Sequence, residues 1–78
     1  MILSDIEKNV LQELTERKAE INGAGITSSS LNSLKSFKSA EANNIVYNLA
    51  KKEFITLALK NENVKDLAFP ILIVEVRS

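Results

Sequence analysis

A chain of 78 residues with neither cysteine nor histidine has only apolar packing, hydrogen bonds and ion pairs to hold it together. Disulfide bridges and Cys/His metal sites are excluded, and with them a thiolate nucleophile and an imidazole base. A domain of this size buries only about 60% of the surface that its unfolded chain exposes. It therefore needs one economical core across residues 1–78, or a partner subunit. With 45% hydrophobic and 26% charged residues, two Gly and one Pro, the composition is that of a folding chain. The longest apolar run, residues 67–74, has eight members, against about 20 for a membrane-spanning helix. The start of the chain mixes charge and apolarity, unlike a secretory leader. The expected location is cytoplasmic, with no membrane partner.

Ser4, Asp5, Ile6 and Glu7 form a capping box, in which serine and glutamate satisfy each other's backbone amides. From there Leu3, Ile6, Val10, Leu14 and Ile21 recur on one helical stripe, so a first helix is expected over residues 5–20, ending near Asn22 and Gly23. Gly25 leaves the next connection either flexible or tight, and Ile26 with Thr27 suits a short β bridge. The serine-rich stretch that follows carries Leu31, Leu34 and Phe37 at intervals of three. That spacing argues against a linker and for a short helix over 28–36, capped by Thr27 or Ser28. Lys38 and Ser39 resemble a turn and cap into a third helix over 40–52. It buries Ala42, Ile45, Val46 and Leu49 and turns Ala40, Asn44, Tyr47 and Lys51 outward, with Asn43 and Asn48 on the flanks.

Residues 54–59 and 69–76 are rich in strand formers and read as a hairpin, with a turn at 61–63 and room for a helical turn at 64–67. Pro70 lacks an amide donor and belongs at an edge, a strand start or a bulge. The second strand is apolar at both parities, Phe69, Ile71 and Ile73 on one side and Leu72, Val74 and Val76 on the other. A strand with one solvated face normally alternates. Phe69, Ile71, Leu72, Ile73 and Val74 are therefore the expected homodimer interface, the competing reading being an edge strand that is merely more apolar than average.

Three helices followed by two strands, with Ile45, Val46, Leu49, Lys51, Lys52, Phe54 and Ile55 in their observed rhythm, resemble the winged helix-turn-helix superfamily. The likeness is one of pattern across residues 5–76 and singles out no family within it. It implies an α+β fold, a three-helix core with a C-terminal β-hairpin wing, and binding to double-stranded DNA. Two departures stand out. Glu53 occupies the place where glycine is usual, and the wing pairs Lys60 and Lys65 with Glu62 and Asp66 rather than presenting a basic tip.

Ten cations balance ten acids overall, yet they are unevenly placed. Residues 1–26 hold three cations against five acids, 27–60 five against two, and 61–78 two against three. The positive segment coincides with the two helices that the resemblance brings to DNA. In such readers the second helix of the unit enters the major groove. Asn43, Asn44, Tyr47 and Asn48 are then the expected base or groove contacts, because asparagine pairs bidentately with adenine. Ser28, Lys35, Lys38, Ser39 and Lys51 are the expected contacts to the DNA backbone. The same residues also fit an ordinary solvated surface, or, for Tyr47, a protein interface.

Catalysis is not expected. Serine is plentiful without an activating base, Glu13, Glu16 and Glu20 follow one side of the first helix with nothing opposing them, and Gly23-Ala24-Gly25 lacks a phosphate-loop pattern. No cofactor and no metal are implied. Two functions remain. One is a dimeric transcriptional regulator, nucleoid-associated by virtue of its DNA; the other is a winged-helix-shaped protein-interaction module, an adaptor or inhibitor that binds no DNA.

Overall fold

The computed structural model describes residues 2–58 and 70–77. The expected turn at 61–63, the helical turn at 64–67, Phe69 and the charges of the wing tip lie outside them. Over the described residues the chain is a small α+β domain with three α-helices and a three-stranded antiparallel sheet.

Helix α1, Asp5–Glu16, starts at the expected capping box. The Glu7 amide donates to Ser4 Oγ at 3.2 Å, and the Ser4 amide donates to Glu7 Oε1 at 2.9 Å. At Arg17 the backbone leaves helical geometry (φ −105°, ψ 20°), and α2, Lys18–Ala24, resumes beyond it. The first helix is thus longer than expected and interrupted. It does not stop at Asn22, whose Oδ1 accepts the Val76 amide at 2.9 Å. It stops at Gly25, with φ 79° and ψ 159°, in a region that essentially only glycine occupies. A Cβ at Gly25 would also lie 3.1 Å from the Ile73 carbonyl oxygen and 3.3 Å from Leu72 Cδ1.

Strand β1, Ile26–Thr27, follows at the place foreseen for a bridge. The expected helix over 28–36 is absent. In its place stand two 3-10 turns, Ser28–Ser30 and Asn32–Leu34, with Leu31 extended between them (φ −81°, ψ 122°). The spacing of three that Leu31, Leu34 and Phe37 display is the 3-10 period itself, not the α period of 3.6. Side chains divert the backbone groups that a helix would use: the Asn32 and Ser33 amides donate to the Glu13 carboxylate at 2.8 and 2.9 Å.

Helix α3, Ser39–Lys51, matches the expected third helix to within one residue. It ends in a Schellman motif, with Phe54 N–H donating to the Leu49 carbonyl (3.1 Å) and Glu53 N–H to the Ala50 carbonyl (3.0 Å). Glu53 takes φ 67°, so a residue that disfavours the left-handed region stands where glycine would sit without strain.

Strands β2, Ile55–Leu57, and β3, Leu72–Val76, form the hairpin pair, but β3 is not an outer wing strand. The sheet order is β1-β3-β2, so the last strand lies in the middle. Ile26 pairs with Ile73 and Thr27 with Leu72 on one side of β3. On the other side Ile55 pairs with Val76, Thr56 with Glu75 and Leu57 with Ile73. Val74 is therefore an extra residue, a β-bulge. The bulge explains why buried residues occur at both parities. Ile71 and Ile73 point inward before it and Val76 points inward after it, all buried with Val10, Leu14, Ile21, Val46 and Leu49 in one core. Ile71 and Ile73 are thus removed from the expected dimer interface. Leu72, 38% exposed, remains at the surface, with Val74 half-buried beside it.

Candidate nucleic-acid interface

Helix α3 is two-sided as its spacing requires. Ala42, Val46 and Leu49 are buried, whereas Asn44, Asn48 and Lys51 are exposed and Tyr47 is half-buried. The Lys51 ammonium stands 5.7 Å from the centre of the Tyr47 ring, within cation–π reach, which orders both side chains on one surface.

Two expected contacts face the interior instead. Asn43 is fully buried, and its Oδ1 accepts the Ser28 hydroxyl at 2.8 Å. Ser28, itself 1% exposed, also accepts the Ile71 amide on Oγ at 3.2 Å, and its own amide donates to the Ile71 carbonyl at 2.8 Å. Both side chains are spent on internal hydrogen bonds. Together they clamp α3 and the first 3-10 turn to the segment leading into β3. The signal was present in the spacing, because Asn43, Val46 and Ala50 are three and four residues apart on one stripe.

The remaining backbone candidates lie around the start of α3. Lys35 and Lys38 are exposed and Ser39 is half-buried. Lys35 and Ser39 share a hollow with Ser28, Ser29, Leu34, Phe37 and Ala42, so the structure brings three of the expected residues together, although the Ser28 hydroxyl is engaged inside. The Lys38 amide donates to Glu41 Oε1 at 3.1 Å, and that carboxylate occupies the positive end of the helix.

Among the cations of the positive segment, Lys52 is engaged elsewhere. Its ammonium contacts Glu7 Oε2 at 3.0 Å and Oε1 at 3.2 Å, joining the end of α3 to the start of α1. Glu7 is only 7% exposed. The Ser4 amide, with help from Lys52 and against the effect of burial, holds its carboxyl below the ordinary range.

Glu13, which the spacing left with nothing opposing it, is structural, and so is Arg17. Partial burial pushes the Glu13 carboxyl up, but the amides of Ser33 and Asn32, the Ser33 hydroxyl and nearby Arg17 outweigh it and hold the group low. Arg17 donates through Nη1 to the Ser30 carbonyl (3.1 Å) and through Nε and Nη2 to the Glu20 carboxylate (3.0 and 3.3 Å). The interrupted helix thereby holds both 3-10 turns in place. Their i, i+3 and i, i+4 spacing was legible; their long-range partners were not. A further cation, Arg77, lines a groove with Tyr47 and Lys51.

No family model, curated protein or solved structure matches this chain. Among the described residues, no helix is long and apolar enough to cross a membrane, and no group of three or more acids is placed to hold a metal ion.

Proposed function

We propose that this chain is a small, sequence-specific double-stranded DNA-binding protein of the winged helix-turn-helix kind, acting as a dimeric transcriptional regulator without catalytic activity. The observation that carries the reading is the outward side of α3, where Asn44, Asn48 and Lys51 are exposed beside Tyr47. Asn44 and Asn48 offer the amide edge that reads adenine in the major groove, and Lys51, Lys35 and Lys38 supply phosphate contacts. The first arm of the helix-turn-helix is then the pair of 3-10 turns, held by Glu13 and Ser28 rather than by helical hydrogen bonds.

Few cations face the groove, whereas roughly six to ten phosphate contacts accompany strongly salt-dependent binding. A two-fold dimer doubles them and matches a palindromic site. Among the described residues, Leu72 and Val74 are what remains of the apolar strand for that contact. A second reading, a protein-interaction module that binds no DNA, is favoured by the same exposed Leu72 and by Ile2, 91% exposed.

Selection from a random duplex pool, at low and at physiological salt, separates the two. The regulator reading expects enrichment of a two-fold-related site, affinity that falls with salt, and a clear loss on Lys38→Ala or Lys51→Ala. Absence of duplex binding even at low salt, with a protein partner retained, would overturn it.

A further inference from the structure

We infer that Arg77, at the far end of the chain from the helix-turn-helix segment, forms with Lys51 and Tyr47 a second phosphate-binding element for the duplex that α3 reads. The inference rests on the DNA-binding reading and adds to it a contact that neither the charge distribution nor the helical spacing indicated. Arg77, Lys51, Tyr47 and Thr56 line one groove between the outward side of α3 and strand β2.

The groove is fixed by backbone rather than by side-chain chance. The Arg77 amide donates to the Phe54 carbonyl at 2.8 Å, and the Phe54 amide donates to the Leu49 carbonyl at 3.1 Å. Two successive hydrogen bonds thus tie Arg77 to the last turn of α3. On the α3 wall, the Lys51 ammonium stands 5.7 Å from the centre of the Tyr47 ring. Glu53 is the one acid on the lining, and Glu75 stands at its edge, where its carboxylate accepts the Thr56 hydroxyl at 2.9 Å. Arg77 is exposed and among the described residues has no carboxylate within ion-pair distance, unlike Arg17 and Lys52. A guanidinium so placed presents a fork suited to two phosphate oxygens. The polyanion that satisfies this groove and the asparagines of α3 together is the duplex backbone flanking the bases that α3 reads.

The test is the salt dependence of binding to a duplex taken from the random pool. Each neutralised phosphate contributes about 0.9 to the magnitude of the slope of log affinity against log salt. Arg77→Ala is expected to lower that magnitude by about 1, with Arg77→Lys restoring it and Lys8→Ala, on α1 away from the groove, leaving it unchanged. Circular dichroism confirms that the exposed substitution leaves the fold intact. If Arg77→Ala retains the full slope while Lys51→Ala lowers it, the second element does not exist and the regulator reading stands. If wild-type protein binds no duplex at low salt, both fall. Arg77-dependent capture of a poly-glutamate peptide in that case assigns the groove to an acidic protein instead.

Discussion

Two residues take positive φ, in different regions and with opposite chemistry. Gly25 does so without strain and also leaves room for β3 to approach, since a Cβ there would press on the Ile73 carbonyl oxygen at 3.1 Å. Gly25→Ala is expected to destabilise the fold by about 1–3 kcal/mol, the penalty for a non-glycine residue in that region. A urea titration would show a lowered midpoint with an unchanged slope. Glu53 does so with a side chain and bears the strain, at φ 67°. A left-handed L-residue costs about 1–2 kcal/mol, part of which glycine returns through the freedom of the unfolded chain. Glu53→Gly should therefore raise stability by about 0.5–1 kcal/mol, read from the same titration. The Glu53 departure noted in the sequence is thus a genuine local conflict.

The elements whose signals are local were readable in advance. Ser4 and Glu7 stand three apart because a capping box requires it, and α3 announces both its ends and its buried side. What escaped depended on partners distant in the chain. Glu13 reaches Asn32 and Ser33, and Asn43 reaches Ser28; nothing near them in sequence states those pairings. The two 3-10 turns were mistaken for a helix because a period of 3.0 and one of 3.6 are hard to tell apart over seven residues. Their dependence on Glu13 has a pH consequence. Glu13 and Glu7 both titrate below the ordinary carboxylate value, near 4.3. For a folded-state value that is lowered, the stabilisation is complete above the unfolded value and is lost as pH falls through the folded one. Stability is expected to drop progressively below about pH 4.3. Glu13→Gln should lower stability at neutral pH and flatten that drop, while amide exchange speeds up at Asn32 and Ser33.

The α+β character, the hairpin and the short strand at Ile26–Thr27 were foreseen, whereas the order of the strands was not, because a two-residue bridge carries no signal that says which strand it joins. The bulge at Val74 was also hidden, and its omission turned a core strand into a supposed dimer surface. With Ile71 and Ile73 accounted for inside, the outer surface of the sheet keeps Leu72 as its exposed apolar side chain. If the dimer uses that surface, Leu72→Lys should yield a monomer by analytical ultracentrifugation and weaken duplex binding at least tenfold, with stability changed by less than about 0.5 kcal/mol. A dimer that persists would place the two-fold contact elsewhere.

A sheet whose central strand follows both of its partners along the chain cannot be assembled piecemeal. On the ribosome, the early strand waits beside the helices with no neighbour until residues 72–76 emerge, and both pairings then close together. Trimming that segment would remove both seams at once instead of peeling away an edge.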